Sequence, residues 1–223
     1  MIVAWIIIGI IFLVLPLCLF VGTYFLRLGF FVKVQFKIAT KEKTVMLTFD
    51  DGPDPVQTPK ILNILKANNV KAMFFLIGEN AEKYPDIVKQ IIEDGHLTGN
   101  HSYSHRGKFP VFSFSKMMNE LEKTDRILEN ITGKKNIYFR PPFGITTPKM
   151  GKVIRQKKYR VIGWSIRSYD TYFPLEKSLK RTVKQLHPGA IVLLHDRLDK
   201  SDVLLEKLLK ELSAKGYSTN NDL

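Results

Sequence analysis

The chain has 223 residues, with 34 lysines and arginines against 21 aspartates and glutamates, which gives a formal charge of +13. Hydrophobic residues make up 45% of the sequence, enough to form a core, and Cys18 is the single cysteine. These values exclude a disordered tail, a collagen-like repeat and a small protein held together by disulfides. One domain is the simplest expectation for this length.

The charged residues are distributed unevenly, because residues 1–26 contain no Asp, Glu, Lys or Arg. A helix over residues 2–26 is long enough to cross a hydrocarbon core of about 30 Å. A cleavable signal peptide typically starts with basic residues and ends in small ones, whereas this apolar run ends in Tyr24, Phe25 and Leu26. The sequence therefore favours an uncleaved transmembrane anchor over residues 1–26. An unusual signal peptide and a buried helix stay open as alternatives.

Residues 27–43 are interpreted as a basic juxtamembrane linker. The α-amino group is the one positive charge before the apolar run, and five basic residues follow it. Taken alone, this asymmetry places the rest of the chain in the cytoplasm. Folded domains can be exported against this tendency, so the side of the membrane stays open. The five residues are Arg27, Lys33, Lys37, Lys41 and Lys43.

From residue 44 onward, short β-prone runs alternate with amphipathic segments. The expected strands are TVMLT, AMFFLI, HLTGN, NIYFR, RVIGWS and AIVLLH, beginning at residues 44, 72, 96, 136, 160 and 190. Thr58 and Pro59 predict the N-cap and first position of a helix. Further helices are expected over residues 114–131, 147–158, 175–186 and 202–215. The alternation predicts a mainly parallel sheet, open or closed into a barrel, with functional groups at the carboxyl ends of its strands.

The first motif, TFDDGPD, begins at residue 48 and places Asp50 and Asp51 where a strand ends. A turn stabilised by an aspartate is the ordinary structural interpretation of such a segment. The functional interpretation assigns a cation to one carboxylate and leaves the other free as a base.

The second motif, HSYSH, contains His101 and His105. If this segment is helical, both imidazoles project from the same face, a spacing that paired metal ligands use. Two surface histidines are the structural alternative. With Asp51 they complete a set of two histidines and one carboxylate, which leaves coordination positions for water and substrate.

Two further motifs follow predicted strands. In RPPFG, Arg140 is either a salt-bridging residue of a rigid loop or an arginine aimed at a catalytic carboxylate, with a backbone N–H fixed toward an oxyanion. In IVLLHD, His195 is either a hydrogen-bonded structural residue or a titratable group at the rim of a site.

In this order, from residue 44 to about 217, the four motifs resemble the polysaccharide deacetylase family, which is carbohydrate esterase family 4 with the NodB-homology domain. The resemblance implies a distorted (β/α) barrel of about seven strands as a catalytic domain over residues 44–223. It also implies a metal-dependent hydrolase that removes N-acetyl groups from the amino sugars of a glycan, either peptidoglycan or a chitin-like polymer.

The resemblance also implies a role for each motif residue. The divalent metal is expected to be zinc, with cobalt, manganese and nickel as alternatives. The implied roles are general base for Asp50, metal ligands for Asp51, His101 and His105, support of the carboxylates for Arg140, oxyanion stabilisation by the backbone N–H of Phe143, orientation of the imidazole for Asp170, a wall of the acetyl pocket for Leu193, and general acid for His195.

The region between the third and last motifs departs from the family pattern. Where relatives often carry Asp-x-x-Asp-Trp, this chain has Arg167 in place of the first acid and Thr171 in place of the tryptophan, while Asp170 is retained. Phe143 stands where the family usually has tyrosine. These changes leave the metal ligands and base unaltered and affect the wall of the substrate groove, so the substrate is the property left open.

The basic charge fits nucleic acid, anionic lipid or an anionic wall polymer. No nucleic-acid motif occurs, so the expected partners are an N-acetylated glycan and, through residues 2–26, membrane lipid. We expect a single-pass membrane protein with its catalytic domain outside the cytoplasm, an expectation with which the basic linker conflicts. Two alternatives remain: deformylation or deacetylation of a lipid-linked sugar, and glycan binding without catalysis. The oligomeric state is left open.

Overall fold

The computed structural model describes residues 1–220, without the side chains of residues 2–4 and 6–11. Residues 221–223, the end of the predicted 44–223 domain, lie outside the described part of the chain. The helices in that part are α1 (Ile2–Tyr24), α2 (Gln57–Ala67), α3 (Gly78–Lys83), α4 (Pro85–Glu93), α5 (Phe114–Thr132), α6 (Pro148–Lys157), α7 (Leu175–Lys184) and α8 (Ser201–Ala214).

The strands form one sheet with the order β1-β6-β5-β4-β3-β2-β8-β7, and β9 pairs with β2. All the pairings between these strands are parallel. The carboxyl ends of all these strands therefore lie along the same edge of the sheet. The strands are β1 (Val34–Gln35), β2 (Thr44–Asp50), β3 (Met73–Leu76), β4 (Leu97–Asn100), β5 (Tyr138–Phe139), β6 (Arg160–Ile162), β7 (Ile166–Arg167), β8 (Ala190–His195) and β9 (Ser218–Thr219).

The connection between β6 and β7 requires the sheet to curl. In a flat sheet these strands would be six spacings apart, about 29 Å. The chain from Ile162 to Ile166 reaches about 14 Å at most. Residues 160–167 therefore join the two margins of the sheet, starting beside β5 and ending beside β8. The result is a curled, barrel-like arrangement of parallel strands, which agrees with the expected fold.

All six predicted strand runs contain a strand, β2 to β6 and β8. The sheet has nine strands in the described part of the chain, where the resemblance implied about seven. The strands without a counterpart in the sequence analysis are β1, β7 and β9, each of two residues. Two residues are too few to show the period of two that marks a strand. Because β1 lies within the predicted linker over residues 27–43, part of that segment belongs to the sheet.

Strand β2 is buried over its whole length, and its residues alternate between two environments. Val45, Leu47 and Phe49 pack in a core cluster with residues of α2 and α8. Met46 packs in a separate cluster that includes residues of β3, β6 and β8. With a side-chain period of two, Asp50 shares the inner face of the curled sheet with Met46. The strand pattern thus places this carboxylate inside the barrel.

Helix α2 begins earlier than expected. Its first residue is Gln57, so the prediction of Thr58 as N-cap was wrong. Asp54 Oδ1 instead accepts the N–H groups of Val56 and Gln57 at 2.9 and 2.8 Å, and the Thr58 hydroxyl donates to Asp196 at 2.6 Å. The other four predicted helices are present as α5 to α8, whereas α3 and α4 had no counterpart in the sequence analysis.

Helix α1 covers most of the predicted anchor and contains Pro16. The backbone N–H of Thr146 donates to the Thr23 carbonyl at 3.1 Å, and the Thr146 hydroxyl donates to the Gly22 carbonyl at 3.3 Å. These bonds fix the end of α1 against the sheet domain. In the described part of the chain, no helix is long and apolar enough to span a membrane. The predicted anchor includes residues 2–4 and 6–11, whose side chains lie outside that part.

Candidate active site

The carboxyl ends of four strands bring the motif residues together. Asp50 ends β2 and lies opposite His195, which ends β8, in the parallel register. His101 directly follows β4, and Arg140 directly follows β5. Carboxyl ends of parallel strands share one edge of a sheet, so residues far apart in sequence meet here. A cavity of about 200 Å³ opens at this edge.

Asp51 leaves β2 with a φ of 74° and is buried. Its Oδ1 atom lies 3.5 Å from Nε2 of His101 and 3.4 Å from Nε2 of His105. The three side chains place one donor atom each within 4.8 Å of one another. The two histidines and one carboxylate expected from the sequence therefore form a cluster.

The histidine segment is a loop and not a helix, so the i, i+4 argument does not explain its geometry. Ser102 and His105 have φ values of 66° and 47°. The Asn100 side chain supports this loop: its Oδ1 accepts the Ser102 N–H at 2.8 Å, and its Nδ2 donates to the Leu121 carbonyl and to Asp125 Oδ1, both at 2.9 Å. Tertiary hydrogen bonds thus turn both imidazoles toward Asp51.

The separations of His101 and His105 from Asp51 are those of ligands in a tetrahedral metal site. Ligand atoms about 2.0–2.2 Å from zinc at tetrahedral angles are about 3.3–3.6 Å apart, which matches the Asp51 separations. His101 Nδ1 lies 2.8 Å from the Arg140 carbonyl. Because a carbonyl only accepts, Nδ1 carries the proton and Nε2 keeps its lone pair for a cation. The residues present therefore fit a divalent metal ion.

The protonation states also suit a metal. Burial opposes ionisation of Asp51, but the neighbouring imidazole of His101, followed by those of His105 and His195, holds its pKa well below the usual range. Burial, together with the neighbouring imidazole of His101, lowers the pKa of His105 to about 4. Both groups are therefore deprotonated at neutral pH, which is the state that binds metals.

Asp50 is held by an arginine inside the barrel. Nη1 of Arg140 donates to Asp50 Oδ1 at 2.7 Å and to the Thr48 hydroxyl at 2.8 Å. The guanidinium, which is fully buried, also donates to the carbonyls of Ile162 and Gly163 at 3.0 and 2.7 Å. Among the described residues, Asp50 Oδ2 has no such donor, and it lies 3.7 Å from His101 Nε2. One carboxylate oxygen is thus fixed, and the other faces the metal cluster.

His195 lies near the cluster and is hydrogen-bonded to Asp170. Its Nδ1 is 2.8 Å from Asp170 Oδ1, and its backbone N–H donates to Oδ2 at 2.8 Å. Burial alone would lower the pKa of His195, but the hydrogen bond and charge of Asp170, with the charges of Asp50 and Asp51, raise it. The imidazole Nε2 is 4.0 Å from Asp51 Oδ2, so it faces the cavity.

Phe143 and Leu193 both line the cavity. Phe143 has a φ of 61°, and its ring centroid is 4.7 Å from that of His105. Leu193 is buried in β8, two residues before His195. All nine residues singled out from the sequence thus lie at this site, with Asp170 positioned behind His195.

The side chains of Arg197 and Trp164 also line the cavity, and the sequence analysis gave neither of them a role. Arg197 donates from Nε to Asp51 Oδ2 at 2.8 Å while its side chain stays 48% exposed. Trp164 lies between β6 and β7 and forms part of the wall. In the sequence, Arg197 could have been noticed as a candidate site residue because it stands two residues after the LLH motif. Its contact depends on β2 and β8 being neighbours, which no local pattern shows.

The comparisons with known proteins agree with this geometry. A sequence model described as polysaccharide deacetylase matches residues 37–162. A peptidoglycan-N-acetylglucosamine deacetylase of Bacillus cereus is 39% identical over 177 residues, which are 77% of this chain and 64% of that protein. The peptidoglycan-N-acetylmuramic acid deacetylase PdaA of Bacillus subtilis is 34% identical over 184 residues, 80% of this chain and 70% of that protein.

A similar solved structure is a peptidoglycan N-acetylglucosamine deacetylase in complex with a naphthalenyl N-hydroxybenzamide. It matches with a TM-score of 0.78 and 35% identity, covering 84% of this chain and 89% of that chain. The family model covers more than half of the sequence, and the motifs converge in the structure. The chain therefore belongs to the polysaccharide deacetylase family, as the resemblance of its four motifs indicated.

Proposed function

We propose that this chain removes N-acetyl groups from the amino sugars of peptidoglycan by metal-dependent hydrolysis. The observation that carries the proposal is the cluster of Asp51, His101 and His105 beside Asp50, a carboxylate that stays outside the cluster. The relatives named above act on peptidoglycan, which supports this glycan over a chitin-like polymer.

Asp51, His101 and His105 hold the divalent cation, for which we propose zinc on the basis of two imidazoles and one carboxylate. When bound, the cation supplies positive charge that polarises a water molecule and the amide carbonyl of the substrate. The histidine ligands are neutral, so the set of ligands carries one negative charge. A doubly charged ion at this site therefore keeps a net positive charge.

Asp50 acts as the general base. Its Oδ1 is occupied by Arg140, so Oδ2, which faces the metal cluster, takes the proton from the attacking water. Attack on the acyl carbon gives a tetrahedral oxyanion, toward which the backbone N–H of Phe143 donates. Leu193 provides an apolar contact for the acetyl methyl group.

His195 acts as the general acid. Because its pKa is raised by Asp170, the imidazole carries the proton that the departing sugar amine requires. Transfer of that proton from Nε2 breaks the C–N bond and releases acetate and a free amino sugar. Asp170 holds the ring orientation and balances the charge on the imidazolium.

The test is an acetate-release assay with the full chain in detergent, loaded with zinc, on peptidoglycan fragments and on N-acetylglucosamine oligomers. We expect acetate from peptidoglycan fragments, and release from Asp50→Asn protein that is slower by about a hundredfold or more. Zinc uptake and glycan binding without any product, in the presence of an intact fold, would instead identify a non-catalytic glycan-binding relative.

We also propose that residues 2–26 anchor the chain in a membrane, with the catalytic domain outside the cytoplasm. The support is the absence of charged residues from helix α1. In a Cys18→Ser background, Lys180→Cys places a thiol on an exposed position of α7. A membrane-impermeant maleimide should label it in intact cells. Labelling only after lysis would place the domain in the cytoplasm and favour a lipid-linked sugar as substrate.

A further inference from the structure

A second cavity adjoins the catalytic one. Its volume is about 340 Å³, and Phe143, Gly144, Trp164 and Arg167 line both cavities. A sugar ring whose acetamido group enters the catalytic cavity therefore has room to extend a substituent into the second one.

The second cavity has a positive wall formed by three arginines from separate parts of the fold. Arg27 follows α1, Arg167 ends β7 and Arg181 belongs to α7. No Asp or Glu occurs among the described residues that line this cavity. The convergence results from the tertiary structure, since the three residues span more than half of the sequence.

These arginines lack the carboxylate partners that other site arginines have. Arg140 and Arg197 each pair with an aspartate at 2.7 and 2.8 Å. Among the described residues, Arg27, Arg167 and Arg181 form no ion pair. The Nε atom of Arg167 is also buried without a hydrogen-bond partner there. A buried donor with no acceptor is unfavourable, and an anion in the cavity would relieve that cost.

Aromatic rings and a carbonyl hold the three guanidinium groups in place. The Cζ atoms of Arg167 and Arg181 lie 4.8 and 4.6 Å from the centre of the Tyr169 ring. Arg27 donates from Nη2 to the Ser165 carbonyl at 3.1 Å. Stacking on a ring leaves the in-plane N–H groups of a guanidinium free, so the ring contacts orient Arg167 and Arg181 without satisfying their donors. The bond to Ser165 uses one of the donors of Arg27.

We propose that the second cavity binds an anionic substituent of the acetylated sugar, a carboxylate or a phosphate, through Arg27, Arg167 and Arg181. The inference rests on the proposed deacetylase function and assigns that site a preference for acidic over neutral substrates. Guanidinium groups match both anions with paired N–H donors. Arg167, which lines both cavities, connects recognition of the substituent to placement of the acetamido group.

The kinetic test compares two tetrasaccharides on the zinc-loaded full chain. One alternates N-acetylglucosamine with N-acetylmuramic acid, which carries a carboxylate, and the other is neutral chitotetraose. Arg167→Gln and Arg181→Gln should each raise KM for the acidic substrate about tenfold or more, because a hydrogen bond to a charged group is lost. For chitotetraose, the KM of Arg181→Gln protein should stay within about twofold of wild type, because Arg181 lines the second cavity and not the catalytic one. Lys180→Gln, an exposed cation on α7 outside the cavity, is the control for net charge and should change neither value.

A binding measurement separates this proposal from the proposed function. Calorimetry on Asp50→Asn protein should show tighter binding of N-acetylmuramic acid or of N-acetylglucosamine 1-phosphate than of N-acetylglucosamine, and Arg181→Gln should abolish the difference. The acidic sugar that binds more tightly shows whether the cavity prefers a carboxylate or a phosphate. Equal binding of all three sugars, or equal losses on acidic and neutral substrates, would overturn the anionic subsite. Absence of turnover with arginine-dependent binding would contradict the deacetylase function alone.

Discussion

Nη1 of Arg140 donates a 2.7 Å hydrogen bond to Oδ1 of Asp50, joining the residue that follows β5 to the last residue of β2. Three further hydrogen bonds hold the same guanidinium, which has no exposed surface. The bond fixes which oxygen of Asp50 is free, and the free oxygen faces the metal cluster. The orientation of the Asp50 carboxylate therefore depends on a contact across the barrel, between a residue that follows β5 and the last residue of β2.

Replacing this arginine should destabilise the fold. Arg140→Met removes one partner of a buried ion pair and leaves the Asp50 carboxylate without its cation, which typically costs about 3–5 kcal/mol. Urea unfolding followed by circular dichroism measures the free energy of unfolding. Arg126→Met, at an exposed position of α5, should change it by less than about 0.5 kcal/mol. If Arg140→Met lowers the free energy of unfolding no more than Arg126→Met does, the ion pair of Arg140 and Asp50 contributes little to stability.

Loss of a metal ligand should be visible without any assay of activity. His105→Ala should lower zinc affinity by more than about a hundredfold, since even residues that only orient a ligand account for about 10–100-fold. Competition with a chromogenic chelator gives the affinity. His187→Ala, which removes an imidazole hydrogen-bonded to the Gln185 carbonyl away from the cluster, should bind zinc like wild type. Unchanged zinc affinity in His105→Ala would exclude this residue as a ligand.

Removing the base should separate catalysis from metal binding. Asp50→Asn keeps the shape of the side chain and an oxygen for Arg140, so zinc content should not change. The acetate-release rate should fall by about 10²–10⁴-fold, the usual contribution of a general base. Asp54→Asn in the same motif is the matched control, because asparagine caps a helix as well as aspartate does. Wild-type rates in Asp50→Asn would assign the base to another group.

The pH dependence should report the pairing of His195 with Asp170. A general acid must be protonated, so activity falls as pH rises through its pKa, and the raised pKa of His195 keeps the enzyme active to higher pH. Asp170→Asn removes the negative charge and should move the alkaline limb of the kcat/KM profile to lower pH. Asp199→Asn, at an exposed position nearby, should leave the limb in place. An unmoved limb in Asp170→Asn would mean that His195 is not the group that titrates.

The sequence was informative where a pattern is local. The apolar runs that became β2 and β8 are long enough to identify strands, and Asp50 and His195 stand at the ends of those runs. Parallel strands end at one edge, so the convergence of four motifs followed from topology that the alternation already predicted. The two-residue strands β1, β7 and β9 carry no periodic signal and could not be found this way.

The loop of His101 and His105 shows where local reasoning fails. Its spacing suggested a helical pair, but the imidazoles meet through a turn held by Asn100 and its contacts with Leu121 and Asp125. Those partners are more than 20 residues away along the chain. A hydrogen bond of this kind exists only after the sheet and α5 have packed.

The residue types at the site, their order, and the strand ends that carry them were determined by the sequence alone, because side-chain chemistry and short-range periodicity are local properties. The tertiary structure decided how the sheet closes through residues 160–167, which oxygen of Asp50 stays free, and that Arg27, Arg167 and Arg181 face one cavity. Each of these depends on distances between segments far apart along the chain. Such distances are set by packing of the whole barrel, and no segment of the sequence encodes them separately.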